Sequence, residues 1–81
     1  MTPEQRQMNA ERLLSDETLQ EALNVIRQNA VGVFIYPNSS QDDIMEAHRM
    51  VRALDAFKTQ LESFIMDGKI LGHRKREQHR G

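Results

Sequence analysis

QDDIMEAHRMVRALDAFKTQLESFIMD, Gln41–Asp67, is the stretch that decides the fold. It follows two serines, Ser39 and Ser40, stops at Gly68, and contains neither glycine nor proline. Apolar residues recur at Ile44, Ala47, Val51, Leu54, Leu61 and Ile65, three, four or seven apart. That period puts them in one stripe along a helix, and such a stripe requires a surface to lie against. Lys58 interrupts the stripe, where its aliphatic stem can pack while the ammonium reaches water. Met45, Met50, Phe57 and Phe64 lie beside it and widen the apolar face.

Upstream, Leu19, Leu23, Ile26, Ala30 and Val33 form a second stripe, with Glu21, Asn24, Arg27 and Gln28 on the far face. Val31-Gly32-Val33-Phe34-Ile35-Tyr36 has the β-branched and aromatic composition of a strand. A lone strand leaves its backbone groups unpaired, however, and no second candidate strand exists in the chain. The stretch is therefore read as the end of the second helix, with the residues nearest Pro37 forced out of the helical region. Pro37-Asn38-Ser39-Ser40 is a short turn in which either serine can cap, with Asp42 and Asp43 three residues on. So short a connection makes the flanking helices antiparallel neighbours. At the N-terminus, Thr2, Pro3 and Gln5 spell a capping box for a shorter helix whose apolar contacts are Met8, Leu13 and Leu14. Ser15-Asp16-Glu17 marks either a break or a bend before the next helix. The expectation is an all-α antiparallel helical hairpin with a shorter N-terminal helix, over residues 1–72, followed by a basic flexible tail, 73–81.

With 81 residues the chain forms one small domain, and a domain of that size buries only about 60% of the surface its unfolded chain exposes. The absence of cysteine removes disulfides and thiolate metal sites, leaving packing and association to stabilise the fold. No apolar run approaches the roughly 20 residues of a membrane span, and the polar start lacks a signal-peptide core, so the expected protein is soluble, without a membrane partner. The net charge of −1 conceals a division: residues 1–72 sum to −4 and residues 73–81 to +3.

Catalysis finds no constellation. The three histidines, His48, His73 and His79, form no i,i+4 pair, so no catalytic group, metal or cofactor is expected. An Asp43/His48/Arg52 cluster reads as a solvated helix face. Asp42, Asp43 and Glu46 complement the positive end of the helix dipole. The apolar surplus points instead to association. Two paired hairpins would close a four-helix bundle, through an interface of Phe34, Met50, Leu54, Phe57, Leu61 and Phe64. The competing arrangement is a monomer closed by the N-terminal helix. Arg74, Lys75, Arg76 and Arg80 could hold phosphates, although no aromatic residue is interleaved for base stacking.

The order Glu11-Arg12-Leu13-Leu14-Ser15-Asp16, Leu19-Gln20-Glu21-Ala22-Leu23, a proline turn, Val51-Arg52-Ala53-Leu54, and Leu61 through Asp67-Gly68-Lys69 resembles small α-helical hairpin proteins of tailed bacteriophages and prophages, encoded near the portal and head genes. The likeness spans residues 10–70. It departs from the family at Phe34, often Trp, and at Glu17, often Pro, and the basic tail lies outside the pattern. The resemblance implies a non-catalytic virion or head/portal assembly accessory protein, in the virion or host cytoplasm, with portal or head proteins as partners and no catalytic residue to carry over. The rival from another class is a small dimeric nucleic-acid-binding regulator using the basic tail, similar in architecture to the helical-hairpin regulator of plasmid copy number. A third expectation is an inhibitor of a host protein.

Overall fold

The computed structural model describes the backbone of residues 1–80 and the side chains of residues 1–74. Three helices make up the chain: α1 (Pro3–Ser15), α2 (Glu17–Ile35) and α3 (Gln41–Arg80). No strand occurs among the described residues.

The helix ends follow from local chemistry. At α1, Gln5 N–H donates to Thr2 Oγ1 at 3.2 Å while Thr2 N–H donates to Gln5 Oε1 at 2.9 Å, so two otherwise orphaned donors are satisfied reciprocally. Ser40 and Asp43 repeat the device at α3, with bonds of 3.0 and 3.3 Å. Of the two capping serines the sequence offers, the chain uses Ser40. Asp43 is thereby engaged with the cap. Between α1 and α2 a single residue, Asp16, leaves the helical region (φ −74°, ψ 116°), and its N–H donates to the Leu13 carbonyl at 3.2 Å. The break is thus at Asp16, one residue beyond the expected Ser15. Helix α2 runs through Ile35 and stops before Pro37, as the restriction on residues preceding proline requires.

The far end of α3 differs from expectation. Gly68 was expected to stop it after Asp67, yet the helix continues to Arg80, through Gly68 and Gly72 and into the stretch expected to be a flexible tail. A glycine that ends a helix does so by adopting positive φ, and no described glycine has one. The boundary expected at Gly72 is therefore not a helix end.

Packing explains why Gly68 stands where it does. The chain divides into two compact units, Met1–Asp16 with Lys58–Gly81, and Glu17–Phe57. In the first unit α1 packs on the later part of α3. The approach at Gly68 is so close that a Cβ there would lie 2.5 Å from Gln7 Cβ and also collide with Gln7 Oε1. Gly68 is a contact residue, and its missing side chain is the space into which α1 fits. The face that α1 turns inward carries Gln7, Ala10 and Leu14, with Ala10 buried. Met8 and Leu13, expected to face the core, are exposed (59% and 43%), because they lie off the line that Gln7, Ala10 and Leu14 form at spacings of three and four. Arg6 lies over the Phe64 ring, 5.8 Å from its centroid, at the edge of the same contact.

In the second unit α2 lies beside the first part of α3, with Ala30, Ala47 and Leu54 buried. Arg27, expected on the outer face of α2, reaches Asp55 of α3 at 2.6 Å. Both partners are substantially exposed, so the pair is worth at most about 1 kcal/mol.

Among the described side chains of α3 the buried positions are Ala47, Leu54, Leu61 and Gly68, seven residues apart, with half-buried Val51 and Ile65 between them and half-buried Gly72 four residues beyond. This is the 3.5-residue period of helices that pack along one seam. Among the described side chains Lys58, exposed, is the one position where the seam carries a charge.

The glycines separate two effects. Gly32 is helical with nothing within 4 Å of an added Cβ, so Gly32→Ala should raise unfolding free energy by about 0.5–1 kcal/mol through helix propensity alone. Gly68→Leu should lower it by about 2 kcal/mol through overpacking against Gln7, despite the same propensity gain. Urea denaturation followed by circular dichroism distinguishes the two signs.

Candidate interaction surface

Within the Glu17–Phe57 unit, α2 and the start of α3 leave a groove of about 410 Å³ between them. Its base is a pair of alanines, Ala30 and Ala47, both buried. Alanine on both helices brings no side chain long enough to fill the space above. The walls are Ile26 and Val33 on α2 and Met50 on α3. The rim is polar: Asn29, Asp43 and Glu46. The result is an apolar trough with two carboxylates along one edge.

Around it the apolar surplus persists. Val25, Val31, Phe34, Ile35, Tyr36, Ile44, Met45 and Phe57 are exposed, whereas Leu54 and Leu61 are the only large side chains buried among the described residues. Few large residues are fully buried among those described, and large exposed apolar patches mark contact surfaces.

The residues expected at an interface fall into three groups. Phe34, Met50 and Phe57 are 45%, 41% and 43% exposed and remain available. Leu54 and Leu61 are 9% and 7% exposed, occupied in packing within the chain, and cannot supply a partner surface. The seven-residue period explains this: both belong to the seam with Ala47 and Gly68. Phe64 is intermediate, half-buried and partly covered by Arg6. Of the expected phosphate contacts, Arg74 is exposed, and the side chains of Lys75, Arg76 and Arg80 lie outside the described residues. Sequence reasoning did not single out the groove. Its signal was two alanines, Ala30 and Ala47, each in the middle of its own stripe, where larger residues would have filled the space.

Among the described residues no three His, Asp or Glu side chains converge as metal ligands, and no helix is long and apolar enough to cross a membrane. Compared with known protein families, curated proteins and solved structures, the chain shows no match.

The division between core and surface is measurable. Leu54→Ala should cost about 2–4 kcal/mol by emptying a seam position. Phe57→Ala should change the unfolding free energy of the dilute chain by less than about 1 kcal/mol, since its ring is half in water. Equal losses in chemical denaturation at low concentration would place Phe57 in the core.

Proposed function

We propose that this chain is a non-catalytic assembly module. On this reading it is an antiparallel helical hairpin that pairs into a helical bundle and acts through the apolar surface of α2 and α3. The observation that supports it most directly is the mismatch between burial and composition. Leu54 and Leu61 are buried, while Phe34 and Phe57 remain exposed, as do Ile26 and Met50, which line the open groove. Association removes that surface from water at about 25 cal/mol per Å² of apolar area. The sequence resemblance to small tailed-phage proteins encoded near head and portal genes gives the module a setting, as a virion component or an accessory of head or portal assembly. Its contribution there is contact between helix faces, without a reacting group.

Sedimentation over a range of concentrations tests the association. The chain should form a dimer or larger homo-oligomer, and Met50→Ser combined with Phe57→Ser should yield a helical monomer, because neither side chain is buried within the chain. A wild-type chain that is monomeric throughout, or an oligomer unchanged by the double substitution, overturns the reading. Mass spectrometry of purified phage particles carrying the gene tests the setting: detection of the protein supports a virion component.

A further inference from the structure

The groove and the C-terminal part of α3 are complementary in both charge and apolar character. The Glu17–Phe57 unit carries six acids against three bases, whereas the unit formed by residues 1–16 and 58–81 carries eight bases against six acids. The acids of the former include the groove's rim, Asp43 and Glu46, with Asp42 in the same first turn of α3. The bases of the latter include Lys69 and Arg74, both exposed, which flank the exposed Ile70 and half-buried Leu71 on a continuous helix. This segment is therefore apolar and cationic, and the groove is apolar, anionic and open.

A single chain-to-chain geometry satisfies both. On α3, Asp43, Met50, Phe57, Phe64 and Leu71 recur at intervals of seven, a second row beside the seam. Read against itself in reverse about Phe57, this row pairs Met50 with Phe64 and Asp43 with Leu71. Lys69 of one copy then falls between Asp43 and Glu46 of the other, Arg74 falls opposite Ser40 about one turn from Asp43, and Asp67, opposite Ala47, is the one acid set near the rim; the contact is repeated at both ends, as two-fold symmetry requires. A parallel pairing instead sets acid against acid and base against base, which electrostatic complementarity disfavours. Nucleic acid is the poorer occupant of the groove, since the rim carboxylates repel a phosphate backbone.

We propose that the α2–α3 groove receives the Lys69–Arg74 segment of a second copy of this chain, so that two α3 helices pair antiparallel with Phe57 near the two-fold axis. This rests on the self-association proposed above and specifies its orientation.

Because the chain has no cysteine, single thiols report the geometry without background. Glu46→Cys and Ile70→Cys place thiols at exposed positions, one on the rim and one on the segment. Two differently tagged full-length chains, one with each substitution, are mixed and treated with a short thiol-reactive cross-linker. The expected product is the heterotypic pair, with little linkage in either variant alone. In the antiparallel dimer two copies of position 46 are about 33 Å apart, at 1.5 Å per helical residue. Raising salt should reduce the heterotypic yield, since the rim contacts are exposed. A dimer in which either variant links to itself, or in which no pair links, overturns the groove assignment while leaving self-association intact. A chain that sediments as a monomer overturns both. Retention of mixed-sequence duplex DNA at low salt, with no heterotypic link, assigns the basic segment to phosphate and overturns the proposal.

Discussion

The seven-residue seam on α3 is the constraint from which the rest of the structure follows. Ala47 and Leu54 face α2 within one unit, and Leu61 and Gly68 lie in the part of α3 that packs with α1 in the other. The seam also sets the closeness of approach. At Gly68 it admits the Gln7 side chain to a distance that any Cβ would block, and at Ala47 it lines with Ala30 a groove that neither side chain fills. Small residues let helices approach, but they contribute little apolar area of their own.

That trade explains the thin core. Three of the five buried apolar residues are alanines, so burial within the chain recovers only a modest part of the available hydrophobic free energy. Small domains without disulfides or metals usually need a further source of stability, and oligomerisation is one of the few available. The exposed Phe34, Met50 and Phe57 supply the surface for it. Polar interactions do not make up the difference. The Arg27–Asp55 pair is largely solvated, Arg49–Glu46 at 3.4 Å is more exposed still, and Arg6 over Phe64 adds about 0.5–1 kcal/mol. Arg27–Asp55 and Arg6–Phe64 link different helices, whereas Arg49–Glu46 lies within α3.

Local signals specified the starts of α1 and α3 and the end of α2, but not the end of α3. Thr2 with Gln5 and Ser40 with an aspartate three residues on are capping boxes legible from the letters, because each bond closes within four residues. The restriction imposed by Pro37 is equally local, and it ends α2 at Ile35 despite the β-branched composition that precedes it. The apolar period also identified Ala47, Leu54 and Leu61 as facing inward. What it could not do was divide inward-facing residues between this chain and a neighbour, since a stripe shows direction and not what lies across it. Leu54 and Leu61 therefore read as interface residues although they are core.

The amino-acid sequence by itself determined an all-helical chain, its turn at Pro37–Ser40, its two reciprocal caps and the stripe along α3, because those depend on interactions between residues a few positions apart. Only the tertiary structure decided what Gly68 does. In the linear chain a glycine after a long helical run reads as a stop. In the fold it is a place where α1 approaches so closely that a Cβ would collide with Gln7, and the helix passes through it to Arg80. The same holds for Gln7 and Ala10 replacing Met8 and Leu13 on the inner face of α1, for Arg27 reaching Asp55, and for the groove above Ala30 and Ala47. Each depends on how closely two helices distant in sequence approach, and that distance is set by side-chain volumes on both helices together.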